Sequence, residues 1–174
     1  MHIIYLAGNS INNKTWIEKV KLEFDSFSSG DILYYDHWAN GEKFINFDRE
    51  SGKLAYLIKN EKDYFVFAKS VGTILALKTI YEGLFKPKKA LFCGLPYRLA
   101  GEVGITLDQY LTSLNVTTIF IQNEFDPVYS YLELQKVLES TKPSDYQLTQ
   151  NPNNNTHDYE SYEQLTAIVK DYFV

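Results

Sequence analysis

Short apolar runs alternate with longer stretches of helical spacing along the whole chain. The runs are His2 to Ala7, Ile32 to Tyr35, Tyr64 to Ala68, Ala90 to Gly94, Val116 to Gln122 and Tyr146 to Thr149. Most are apolar at odd and even positions alike, as strands are when helices cover both faces of their sheet. Between them, Trp16, Val20 and Phe24 fall on one helical face. Leu54, Leu57 and Ile58 do the same, as do Ile74, Leu77, Ile80 and Tyr81. Further helices are predicted around Leu107 to Leu114, Leu132 to Leu138 and Tyr162 to Tyr172.

This alternation shows no internal repeat, linker or low-complexity tract, and predicts one α/β domain over residues 1–174. Its core is a doubly wound, mostly parallel sheet of about six strands flanked by helices. Right-handed crossovers in such a sheet bring the functional loops to the carboxyl ends of the strands. The polar stretch Gln150 to Thr156 reads as a loop after the last strand.

Composition narrows the function classes. Hydrophobic residues at 45% and charged residues at 22% exclude the disordered class. A net charge of -5 without a long basic run argues against nucleic acid, whose affinity rests on Lys and Arg neutralising phosphates. No apolar stretch approaches the roughly 18 residues of a membrane helix, so no membrane partner is expected. Cys93, the single cysteine, has no internal disulfide partner and reads as a buried, inert thiol. Met1 to Gly8 lacks a basic region and a cleavage spacer, so it reads as the first strand, and a reducing cytoplasm is the expected location. The oligomeric state is left open.

Candidate chemistry begins at Ala68-Lys69-Ser70-Val71-Gly72, between a buried strand and a helical stretch. A sharp strand-to-helix turn strains the serine backbone and lifts its hydroxyl above the sheet, which requires small residues two positions either side. Ala68 and Gly72 meet that need. The plainer alternative is a serine that caps the helix. Asp126 follows the apolar run ending at Gln122 and stands where a carboxylate could orient a histidine. An Asp before Pro127 would equally suit a helix N-cap, and Glu124 is a weaker substitute for it. His157 follows the last strand, in a loop where a histidine is ordinarily just solvated. His2 lies at the wrong end of the first strand, and His37 is too early in the chain to be the base.

Ser70, Asp126 and His157, in that order and each after a predicted strand, resemble the α/β-hydrolase superfamily over nearly the whole chain, particularly its small lidless serine hydrolases and esterases. The resemblance implies a Ser-His-Asp triad acting through an acyl-enzyme on a small carboxylic ester or related acyl compound, with no metal or organic cofactor. It also implies an oxyanion hole from the backbone N–H of Val71 and of Asn9 or, less directly, Ser10. Ser10 and the aromatics Tyr34, Tyr35, His37, Trp38, Tyr97 and Tyr129 are candidates to line the substrate pocket. The chain departs from the family in three respects. Ala68 replaces the commoner glycine, the two antiparallel strands that usually open the fold are absent, and the span from Phe92 to Val116 leaves no room for a lid domain.

Two other classes compete. A nucleotide- or flavin-binding domain would use the first loop, but Gly8-Asn9-Ser10-Ile11-Asn12 matches neither a dinucleotide fingerprint nor a P-loop. The other is a hydrolase fold that has lost catalysis and serves as a binding protein.

Overall fold

Apolar residues on both faces of a strand must be buried on both sides, and the chain does so with two sets of helices. The structure is a computed structural model describing residues 1–173; Val174, the last residue of the predicted domain, lies outside the described residues. The strands are β1 (His2–Leu6), β2 (Ser29–Ile32), β3 (Phe65–Lys69), β4 (Lys89–Cys93), β5 (Thr117–Asn123) and β6 (Tyr146–Asn151). They form one sheet in the order β2-β1-β3-β4-β5-β6, every pairing parallel. The helices are α1 (Asn12–Phe24), α2 (His37–Asn40), α3 (Phe47–Leu57), α4 (Val71–Tyr81), α5 (Tyr97–Glu102), α6 (Leu107–Thr112), α7 (Tyr131–Thr141) and α8 (Tyr162–Phe173).

The alternation of side chains along each strand feeds two cores. Ile3, Tyr5, Phe67, Leu91, Cys93, Ile119 and Ile121 pack with Trp16, Ile17, Val20 and Phe24 of α1 and Leu165, Val169 and Phe173 of α8. Ile4, Leu6, Val66, Ala68, Ala90, Phe92 and Phe120 face the other way, onto α3, α4, α6 and α7. Helix α4 lies beneath this second core, buried from Val71 through Leu77, and its N-terminus points at the end of β3. Among the described residues no helix is long and apolar enough to cross a membrane.

Two strand expectations are corrected. The second strand is Ser29–Ile32, not Ile32 to Tyr35. As the sheet edge it pairs only with β1, so it can be polar and half-exposed. Leu33 and Tyr35 instead continue past the sheet as buried loop residues, and the Tyr35 hydroxyl donates to the Ala7 carbonyl at 3.0 Å. The last strand runs on to Asn151, two residues into the expected loop, because Asn151 pairs with Asn123 and its side-chain amide donates to Asn123 Oδ1 at 2.7 Å. Helices α2 and α5 lie in stretches too short to show a period.

Candidate active site

Ser70 is the single residue between β3 and α4. Its backbone sits at φ 54, ψ −127, a conformation that costs free energy for any residue with a side chain. The turn closes because the chain is narrow there: a Cβ at Gly72 would stand 2.7 Å from the carbonyl oxygens of Leu6 and Ala7. The helix-cap alternative fails, since the Ser70 side chain caps no N–H of α4. Thr73 closes that turn instead, its hydroxyl donating to the Ser70 carbonyl at 2.6 Å. The Ser70 hydroxyl lies 2.9 Å from His157 Nε2.

The other imidazole nitrogen faces Asp126. His157 Nδ1 lies 2.8 Å from Asp126 Oδ2 and 3.0 Å from Oδ1. Asp126 is 3% exposed, so its charge requires internal donors. The Val128 N–H donates to Oδ1 at 2.9 Å and the Tyr159 hydroxyl to Oδ2 at 3.1 Å. Asp126 therefore closes a tight turn on Val128 and caps no helix. The following helix starts at Tyr131 with Ser130 as its cap, which forms a reciprocal box with Glu133. Glu124 accepts from the Asn153 N–H and holds the neighbouring loop, while Asp158 points to solvent, its side chain 68% exposed. Neither orients His157.

Sequence reasoning missed the residues that hold these groups. Asn123 Nδ2 donates to the carbonyls of Thr156 at 2.8 Å and Asp158 at 3.0 Å, clamping the backbone on either side of His157. The Asn123 N–H donates to the Tyr159 hydroxyl at 3.1 Å. Gln122 Oε1 accepts from the Leu95 N–H at 3.1 Å, and its amide nitrogen donates to the Tyr129 carbonyl. Both side chains are fully buried at the end of an apolar strand, and that polar pair was the available signal. Gly94, at φ 62, brings β4 against the histidine: a Cβ there would lie 2.7 Å from the Tyr159 ring and 3.0 Å from His157 Cε1.

The first loop lies across the end of β1. Asn9 is held from several directions. Its carbonyl is bonded by His37 Nε2 at 2.7 Å and by the Trp38 indole N–H at 2.9 Å, and its side chain bonds Ile45 N–H and the Lys43 carbonyl. His37 and Trp38 thus buttress this loop. Ser10 is exposed, its hydroxyl accepting from the Asn12 N–H at 3.3 Å. Tyr97 and Tyr129 lie together, ring centroids 5.3 Å apart, with the Tyr97 hydroxyl bonded to Asp108. Tyr34 and Tyr35 border a cavity of about 780 Å³ between β2 and α3, which none of Ser70, Asp126 and His157 lines.

Burial sets the titration of several groups around the site. It pushes the Tyr159 hydroxyl well above the usual tyrosine range, and the Asp126 carboxylate pushes it further, so this hydroxyl remains a donor. Burial likewise raises the Cys93 thiol, which is buried as expected. Burial lowers the Lys69 ammonium, with nearby carboxylates only partly offsetting it. Among the described residues, no group of three or more His, Cys, Asp or Glu is gathered as a metal-binding set would be. In series, the hydroxyl, imidazole and carboxylate can pass a proton from serine to histidine and stabilise the imidazolium that results.

No family model and no curated protein matches the sequence. Solved structures do. An uncharacterized protein from Bacillus cereus ATCC 10987 is similar at a TM-score of 0.73 and 18% identity, over 98% of this chain. This chain spans only 58% of that protein. An alpha/beta hydrolase from Sphaerobacter thermophilus DSM 20745 is similar at 0.72 and 12% identity, over 99% of this chain and 92% of its own. Est1E from Butyrivibrio proteoclasticus, with ferulic acid bound, is similar at 0.75 and 12% identity, over 99% of this chain and 87% of its own. The parallel six-stranded sheet, its flanking helices and these neighbours agree: the chain has the α/β-hydrolase fold.

Proposed function

We propose that the protein is a serine hydrolase that cleaves a small carboxylic ester, or a related acyl compound, through an acyl-enzyme on Ser70. The observation that carries this reading is the continuous line from Ser70 Oγ through the His157 ring to Asp126, at 2.9 and 2.8 Å, on a strained strand-to-helix turn. A serine that only capped a helix would need neither partner.

His157 Nε2 takes the hydroxyl proton as Ser70 Oγ attacks the substrate carbonyl carbon, and Asp126 stabilises the imidazolium. The N–H of Val71, first residue of α4, and that of Asn9 receive the oxyanion, where each such donor lowers the barrier by about 3 kcal/mol. The positive end of α4 favours the same charge. His157 returns the proton to the departing alcohol, then activates a water that releases the acid and regenerates Ser70. Clamping of Asn9 by His37 and Trp38 keeps that donor in place before substrate arrives. A cold-adapted esterase from an Arctic intertidal metagenomic library and the Bacillus cereus carboxylesterase, both similar in fold at 14% identity, support the substrate class.

Treatment of the purified protein with a fluorophosphonate tests the assignment. Intact-mass analysis is expected to show one adduct, absent in Ser70→Ala. No adduct on the native protein, or an adduct that survives in the alanine variant, overturns it.

A further inference from the structure

The residue before the proposed nucleophile is a lysine taken almost wholly out of water. Lys69 ends β3, its side chain is 6% exposed, and Phe67 on the same strand face belongs to the core shared with α1 and α8. A buried ammonium is costly unless polar atoms or ring faces receive it, and an apolar residue of similar volume would avoid that cost. Lys69 has three partners. Nζ donates to Asn13 Oδ1 at 3.0 Å, lies 4.8 Å from the centroid of the Trp16 ring and stands 3.9 Å from Asp158 Oδ1.

Those partners belong to the segments that frame the site. Asn13, on the first turn of α1, packs so tightly on Gly8 that a Cβ there would stand 2.7 Å from its Oδ1, and Gly8 precedes Asn9. Trp16 donates its indole N–H to the Tyr159 carbonyl at 3.0 Å. Asp158 follows His157 directly. At 3.9 Å, with Asp158 mostly exposed, the ion pair is the weakest of the three contacts. The Asn13 bond and the Trp16 face hold the ammonium more firmly.

We propose that Lys69 is a positioning residue: its buried ammonium ties the first loop, through Asn13, to the histidine loop, through Trp16 and Asp158, and so sets Asn9 and His157 around Ser70. This rests on the serine-hydrolase reading above. Its partners lie on the α1 and α8 side of the sheet, so Lys69 acts through the two loops and not on the reacting atoms.

The test uses Lys69→Met and Asn13→Ala, singly and together, with two readouts: the rate constant for fluorophosphonate labelling, and hydrogen exchange across segments 8–13 and 156–160. Each folded single variant is expected to label roughly tenfold to a hundredfold more slowly than wild type, the penalty of an ångström-scale misplacement. Exchange should quicken in both segments together. Because both substitutions break one tie, the double variant should label no more slowly than the slower single. If Lys69 served stability alone, its replacement would shift the melting temperature and leave the labelling rate of the folded protein unchanged. An unchanged rate in either folded variant, or penalties that multiply in the double, overturns the proposal. Should Lys69→Met fail to fold, Asn13→Ala decides by the same readouts. If the wild type takes no label, the hydrolase reading fails, and exchange that stays slow in both segments then removes the tie as well.

Discussion

The Tyr159 hydroxyl donates to Asp126 Oδ2 at 3.1 Å, from a residue only two positions after the histidine that the same carboxylate orients. Base and carboxylate support thus arrive on one loop. Tyr159→Phe keeps the ring that packs on Gly94 and removes this donor. Loss of a bond to a buried charge, together with loss of the acceptor of the buried Asn123 N–H, should lower stability by about 3 kcal/mol or more and cut kcat more than KM. Urea unfolding and steady-state kinetics on a short acyl ester measure both. Unchanged kcat would show that the remaining donors suffice.

Asp126→Asn separates charge from turn geometry. An amide oxygen can still accept from the Val128 N–H, so the turn should survive with little change in melting temperature. What is lost is the charge facing the imidazolium. Turnover is expected to fall by roughly 10³- to 10⁴-fold, as when a triad carboxylate is made neutral elsewhere. Near-full turnover would remove Asp126 from the proposed triad.

Gly94→Ala tests how closely β4 supports the histidine. The left-handed backbone at φ 62 costs an alanine about 1–2 kcal/mol, and the new Cβ must displace the Tyr159 ring and His157 Cε1. Lower stability and slower fluorophosphonate labelling should appear together. The same change at Gly101, where an added Cβ meets nothing, is the control.

Burial holds the Lys69 ammonium below the ordinary lysine value of 10.5, so between its folded and unfolded values the unfolded chain binds more protons. Wild-type stability therefore rises with pH across that window. The penalty is fully present below the folded value and vanishes above 10.5. Lys69→Met lacks it. Its stability relative to wild type should be greatest near neutral pH and shrink towards pH 10.5, which urea titrations at several pH values will read. A difference that grows with pH would contradict this.

Between β4 and β5 the described residues hold only the short helices α5 and α6, too little for a lid domain inserted there. Activity should be higher on acetyl and butyryl esters than on long-chain ones. A rate that climbs steadily to sixteen-carbon acyl groups would contradict this.

Much of this architecture was legible because buried parallel strands leave continuous apolar runs, and amphipathic helices such as α1 and α8 leave a four-residue rhythm. Ser70, His157 and Asp126, which the fold brings into one hydrogen-bonded line, were legible through local context and order. The second strand was misplaced because an edge strand carries polar residues, and Leu33 and Tyr35 are apolar through loop burial, not sheet pairing. Asn123, Gln122 and Tyr159 escaped notice because hydrogen bonds that support a site depend on contacts between distant segments. Among the expected pocket residues, His37 and Trp38 are bonded to Asn9, a role that aromatic content alone does not convey.

The indole of Trp16 and the carbonyl of Tyr159 are joined across 143 residues, and Ser70 meets His157 across 87. Contacts of such separation carry the entropy cost of closing a long loop before they repay it, so they are slow to form. The proposed nucleophile and base should accordingly come together late in folding. In a refolding experiment, helical signal should recover before the protein can be labelled at Ser70, and capture of the probe would time the arrival of the final loop.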